Sequence, residues 1–178
     1  MTIRTEHLLP PKRHADGSAY RIAIVCLGNI CRSPIGEVVL TEKIERAGLD
    51  DRVEVVSAGT GTWHIGEPMD RRAAAVLAAH GYDASQHRAS LFEAHWHDEY
   101  DLVLAMDESN HADLRDLTEG ETSRLRMFRE FDPRATEADR DVPDPYYGGD
   151  DGFTHVLQTV ERTADAIVAA LEQELGGS

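Results

Sequence analysis

From Tyr20 onward the chain alternates short apolar runs with stretches of helical periodicity, and nothing else in it restricts the fold as much. The run RIAIVC reads as a strand bounded by Gly28, and the segment from Ser33-Pro34 to Gly48 reads as a helix with apolar Ile35, Val38, Val39, Ile44 and Ala47. Ser33 is the expected N-cap, Pro34 suits the first helical position, and Gly48 suits the position just past the end. The pattern then repeats. Val53 to Val56 reads as a strand, and Asp70 to His80 as a helix with Ala73, Val76, Leu77 and His80 on one face, closed by Gly81. Leu102 to Met106 is of strand length, Ser109 to Leu117 reads as a helix and Leu125 to Phe128 as a short strand. The last helix carries one apolar stripe from Phe153 through Val160 and Ile167 to Leu175. Strands alternating with helices imply an α/β fold with a parallel sheet covered on both faces, which takes ligands at the carboxyl ends of its strands. The first such end is Cys26.

A length of 178 residues suits one domain. Residues 1–19 are polar, carry Pro10-Pro11 and lack periodicity, so a loosely ordered extension is expected before a domain at 20–175 and a tail at 176–178. The chain has 18 Lys and Arg against 33 Asp and Glu, a net charge of −15 that repels nucleic acid and anionic membranes alike. No run approaches a membrane span and the N-terminus lacks the apolar core of a signal peptide, so a cytoplasmic location is expected. Two cysteines offer no disulfide framework, which directs attention to thiol chemistry. The nine histidines do not fall in a zinc pattern, and neither a metal nor a cofactor is expected. The acidic runs Glu93 to Asp101 and Glu137 to Asp144 read as solvated faces.

The segment Cys26-Leu27-Gly28-Asn29-Ile30-Cys31-Arg32-Ser33-Pro34 joins a strand end to a helix start, where loop amides and the helix dipole converge on an anion site. Such a field stabilises the ionised form of a thiol placed in it. Arg32 adds a planar fork able to grip two phosphoryl oxygens, and Gly28 lets the backbone approach the anion. A few local groups must therefore overcome the repulsion of the whole chain. The irregular stretch Arg129 to Gly152, with Pro133, Pro143, Pro145 and Gly148-Gly149, is long enough to be functional.

The Cys, five residues, Arg, Ser pattern of Cys26, Arg32 and Ser33 resembles the signature of the low-molecular-weight protein tyrosine phosphatases. The likeness continues in Val56-Ser57-Ala58-Gly59-Thr60, Trp63-His64-Ile65-Gly66, His87-Arg88-Ala89 and Asp144-Pro145-Tyr146-Tyr147-Gly148, and so spans about residues 20 to 175. It implies a four-stranded parallel sheet with helices on both faces and a phosphate-binding loop after the first strand. It also implies hydrolysis of phosphotyrosine in proteins, and of small aryl phosphates, through a cysteinyl-phosphate on Cys26. In that scheme Arg32 and the amides of Leu27, Gly28, Asn29, Ile30 and Cys31 hold the phosphoryl group. Asp144 is general acid and then base, and Ser33 donates a hydrogen bond to the thiolate. Trp63, Tyr146 and Tyr147 wall the aromatic ring, Ile30 forms an apolar lip, and Asn29, Ser57 and His87 form a supporting network. The partners implied are a phosphotyrosine protein and inorganic phosphate as product and inhibitor, with a monomer expected.

Each residue also has a plainer reading. A cysteine at a strand end is often a buried structural thiol, an Asp before Pro is by default a turn former, and a Trp is by default a core residue, although Gly61, His64 and Gly66 around Trp63 indicate a loop. Cys31 leaves two readings open, a space-filling side chain or a resolving thiol that bonds to Cys26 under peroxide. Two rival functions compete. A thioredoxin-coupled arsenate reductase has a similar loop but needs further redox cysteines, which this chain lacks. A phosphorylated carrier or silent phosphate-binding module has no use for an acid such as Asp144.

Overall fold

The computed structural model describes residues 8–14 and 17–175. Its strands are β1 (Tyr20–Cys26), β2 (Val53–Gly59), β3 (Leu102–Ala105) and β4 (Leu125–Met127), and its α-helices are α1 (Arg32–Arg46), α2 (Arg71–Ala79), α3 (Glu108–Leu117) and α4 (Asp150–Leu175). The strands pair in parallel in the order β2-β1-β3-β4. Alternation along β1 explains the layers. Ile22, Ile24 and Cys26 face α1, α2 and α4, joining Ile35, Val39, Leu77, Phe153, Val160 and Ile167 in the larger core. Ala23 and Val25 face the other way, toward α3 and a short 3₁₀ turn at Ala94–Asp98, where Phe92, Tyr100 and Leu114 pack. The stripe on α4 buries Phe153, Val156, Leu157, Val160, Ala164, Ile167 and Leu171. Each of the larger side chains contributes about 1.5–3 kcal/mol relative to an exposed position.

Strand order places β1 between a neighbour that follows it and one that comes later on the opposite side. The connection reverses direction there, which opens a crevice beyond the carboxyl ends of β1 and β3. The loop that follows Cys26 lies in that crevice.

Several expectations require correction. Helix α1 starts at Arg32 with Cys31 as N-cap and no side-chain cap, so Ser33 is not the N-cap and Pro34 is third in the helix. The Ser33 hydroxyl is instead turned inward, as described below. His80 is exposed, because α2 ends at Ala79 and the His80 ring bonds back to the Val76 carbonyl. Asp101, assigned to a solvated run, is buried. Its carboxylate accepts from the backbone N–H of Arg13 and of Arg21, both at 2.7 Å, which compensates its desolvation.

The same contacts bear on the N-terminal stretch. Residues 8–14 lie where a loosely ordered extension was expected, yet Leu8 and Leu9 pack on the core. The Tyr20 hydroxyl donates to the Pro10 carbonyl, and the Arg13 side chain donates to the carbonyls of Tyr100 and His97. Residues 1–7 and 15–16 of that stretch, and the tail at 176–178, lie outside the described residues. Among the described residues, no helix is long and apolar enough to cross a membrane.

Candidate active site

A cavity of 420 Å³ opens at the β1 end, lined by Cys26, Leu27, Gly28, Ile30, Cys31, Arg32, Trp63, His64, Asp144, Tyr146 and Tyr147. Three separate stretches of sequence meet in it, 26–32, 63–64 and 144–147. At its floor the Cys26 sulfur lies 2.9 Å from the Ser33 hydroxyl and accepts from the Asn29 backbone N–H at 3.3 Å. Arg32 is only 3% exposed in its side chain, and its Nη1 donates to Asp107 Oδ2 at 2.7 Å and to the Val142 carbonyl at 3.0 Å. Its Nη2 lies 3.6 Å from Asp144 Oδ2, on the far wall. Burial works against the guanidinium charge, but Cys26, Asp107 and Asp144 around it outweigh that and hold its pKa above the ordinary value.

Asn29 has a positive φ of 58° and is fully buried. A side chain with a hydrogen-bonding amide tolerates that conformation where an aliphatic one does not. Its Nδ2 donates to Ser33 Oγ at 2.8 Å and Ser57 Oγ at 3.0 Å, and its Oδ1 accepts from the Ser90 N–H at 2.9 Å. The Asn29 carbonyl accepts from His87 Nε2 at 2.7 Å. Burial holds the His87 pKa below the ordinary histidine value, with Arg88 acting in the same direction and the Asn29 carbonyl opposing it; since a carbonyl only accepts, Nε2 carries a proton. Asn29 was expected both to bind substrate and to support the loop; its side chain is turned away from the cavity, and only its N–H reaches the sulfur.

Gly59 lets β2 reach this network: a Cβ there would stand 2.6 Å from the Leu27 carbonyl oxygen. Against Gly28 the nearest side chain is His64, whose ring would be 3.0 Å from an added Cβ. Cys31 lines the cavity as a thiol that burial pushes above its ordinary pKa. Trp63 is 70% exposed and Tyr147 94% exposed, so both stand as rims, while Tyr146 is half-buried with its ring 4.9 Å from that of Tyr147.

The sequence did not single out four residues that hold this arrangement. Asp107 fixes Arg32 and also caps α3, accepting from the Asn110 N–H. Its position just after β3 was the available signal. His64 lines the cavity with its Nδ1 2.6 Å from Glu67 Oε2. Asp132 and Arg72 anchor the two sides of the 129–152 segment. Asp132 accepts from Arg129 Nε at 2.9 Å and from Arg162 Nε and Nη2 at 2.7 and 2.8 Å, which ties the segment to α4. The Val142 N–H donates to the Met106 carbonyl, so the segment passes beside the end of β3 before it turns at 145–148.

The family described as low molecular weight phosphotyrosine protein phosphatase matches residues 21–176. A low molecular weight protein-tyrosine-phosphatase of Streptomyces coelicolor is 46% identical over 160 residues, covering 89% of this chain and 97% of that one. Low molecular weight protein-tyrosine phosphatase A of Mycobacterium tuberculosis is 46% identical over 140 residues, covering 79% and 84%. Among solved structures, YfkJ from Bacillus subtilis superposes with a TM-score of 0.83 at 30% identity, covering 90% of this chain and 99% of that one.

Proposed function

Because the chain belongs to the low molecular weight phosphotyrosine protein phosphatase family, we propose the route by which its own residues hydrolyse phosphotyrosine in proteins. The phosphoryl group enters the cup between the amides of Leu27 to Arg32 and the Arg32 fork, with the aryl ring between Trp63 and Tyr146 and against Ile30. Tyr147 extends the same wall. Cys26 attacks phosphorus as the bond to the phenolic oxygen breaks, and Asp144 delivers a proton to that oxygen. The product is tyrosine and a cysteinyl-phosphate. Asp144, now a carboxylate, takes a proton from water as its oxygen attacks phosphorus, and the sulfur leaves as a thiolate. Ser33 donates to that thiolate and makes it a better leaving group. Inorganic phosphate then occupies the cup, where it acts as product and inhibitor, and the chain works as a monomer.

One observation carries this reading: Cys26, Arg32 and Asp144 line a single cavity, with Arg32 Nη2 3.6 Å from the Asp144 carboxylate. A guanidinium so placed balances the charge of the transferring phosphoryl group while leaving the acid within reach of the departing oxygen. The test uses phosphate release from a phosphotyrosine peptide and from p-nitrophenyl phosphate. Cys26→Ser is expected to lower kcat by roughly 10⁴-fold or more on both. Asp144→Asn is expected to lower it by about 10²-fold or more on the peptide but far less on the activated ester, whose leaving group needs no proton. Equal losses for Asp144→Asn would refute its assignment as acid.

A further inference from the structure

We propose that Arg72, braced by Asp70, is a positioning residue that fixes the acid-bearing loop relative to the nucleophile loop; the idea rests on the acid role given to Asp144 above. Arg72 is the second residue of α2, whose Ala73 and Leu77 are buried in the main core, so its backbone belongs to the rigid body of the domain. Its guanidinium reaches across to the turn at 145–148. Nη2 donates to the Tyr146 carbonyl at 2.7 Å and Nη1 donates to the Gly148 carbonyl at 3.2 Å. The charged plane lies 4.6 Å from the ring centroid of core Phe153 and 5.6 Å from that of Tyr146. The Tyr146 N–H in turn donates to Asp144 Oδ1 at 3.1 Å. The acid is thus one residue and one hydrogen bond from the carbonyl that Arg72 grips.

Asp70 makes the other half of the brace. Its N–H donates to the Ile30 carbonyl, in the loop around Cys26, at 2.9 Å. Its carboxylate caps α2 and accepts from Arg72 through the backbone N–H at 2.8 Å and the side-chain Nε and Nη2 at 3.2 Å. Burial of Asp70 would raise its pKa, but the Arg72 donors outweigh that and keep it below the ordinary carboxylate value. The pair therefore links the Ile30 carbonyl on one rim to the Tyr146 and Gly148 carbonyls on the other. Both Nη groups already have partners in Asp70 or the backbone, which argues for a brace and against a substrate ligand. Lysine could not replace it, because the role needs several divergent donors on one flat, stacking plane. A displacement of about 1 Å at a proton-transfer site lowers rates by up to ~10²-fold, so loosening the brace should be felt in the chemistry.

The experiment compares Arg72→Ala, Arg72→Lys and Asp144→Asn on phosphotyrosine and on p-nitrophenyl phosphate, both substrates assayed on the same preparation. The ratio of the two kcat values does not depend on how much of a variant is folded. Arg72→Ala is expected to lower kcat on phosphotyrosine roughly tenfold and on p-nitrophenyl phosphate less than about threefold, and Arg72→Lys is expected not to restore the ratio. If Asp144→Asn separates the substrates and Arg72→Ala lowers both equally, or neither, the brace is refuted and the acid assignment stands. Recovery of the wild-type ratio by Arg72→Lys overturns the fork argument. If Asp144→Asn itself fails to separate the substrates, the acid assignment falls and the brace falls with it.

Discussion

The two loops that meet at the cavity are held by different physics. The loop from Cys26 to Ser33 is secured from within, by Asn29, Ser57, Ser33 and His87, neutral groups that satisfy one another out of contact with water. The segment from Arg129 to Gly152 is secured at its base by charges, Asp132 between Arg129 and Arg162, and at its side by Arg72, while Asp144 at its tip is 42% exposed. A cup that must present amides to a dianion works best when no reorganisation is needed, and a saturated buried network removes the alternatives. In the role proposed for Asp144, an acid that exchanges protons with a leaving group and with water must remain open to both, which accords with only its flanks being tied down.

The comparison is tested hardest by removing the charge clamp. Asp132→Ala leaves Arg129 and Arg162 without their shared carboxylate and is expected to cost about 3–5 kcal/mol of unfolding free energy, measured by denaturant titration. Burial of Asp132 tends to raise its pKa, but its arginine and backbone partners lower it from the usual 3.8 to about 2. A carboxylate whose folded pKa is lowered stabilises the fold above its unfolded value, and that contribution drains away as pH falls through the folded one. The wild-type chain should therefore lose stability between about pH 4 and pH 2 more steeply than the variant. A variant as stable as the wild type would show that the base of the segment is held by packing alone.

Asn29→Ala probes the neutral network. It strands the hydroxyls of Ser33 and Ser57 and puts an alanine at a φ of 58°. A loss of about 10²-fold in kcat/KM is expected on phosphotyrosine and on p-nitrophenyl phosphate alike, since the cup serves both. A loss confined to phosphotyrosine would mean that the network acts through the acid-bearing segment and not through the cup.

The smallest effect concerns His87. Its folded pKa lies below the free histidine value, chiefly through desolvation, so it favours the fold above its unfolded pKa of about 6.5 and loses that contribution as pH falls through the folded value. His87→Gln retains a donor for the Asn29 carbonyl without a titration. Its melting temperature should depend less on pH below about 6.5 than that of the wild type. An unchanged slope would remove His87 as the source of that dependence.

Much of this was legible in the residues. The continuous apolar run in β1 and the stripe on α4 reported burial directly, because a strand covered on both faces takes every side chain out of water and a helix packed on one face takes one in three or four. Gly48 and Gly81, read as helix ends, have φ of 75° and 86°, conformations that a Cβ disfavours. Ser33 misled as a cap because a hydroxyl at a helix start has two uses, and only the presence of a sulfur 2.9 Å away decides between them. Asp101 misled because it lies in a run of acids, and a run does not tell which member faces inward.

The sequence alone determined the strand, loop and helix around Cys26 and the chemistry available there, since each depends on neighbours within a few positions. The resemblance already named Asp144, but only the tertiary structure selected its companions Asp70, Asp107 and Asp132 from 33 acidic residues. Asp107 finds Arg32 across 75 positions and Asp132 finds Arg162 across 30, pairings made when packing of apolar faces brings distant segments together. The hydrophobic pattern directs that packing without naming the charges that will meet.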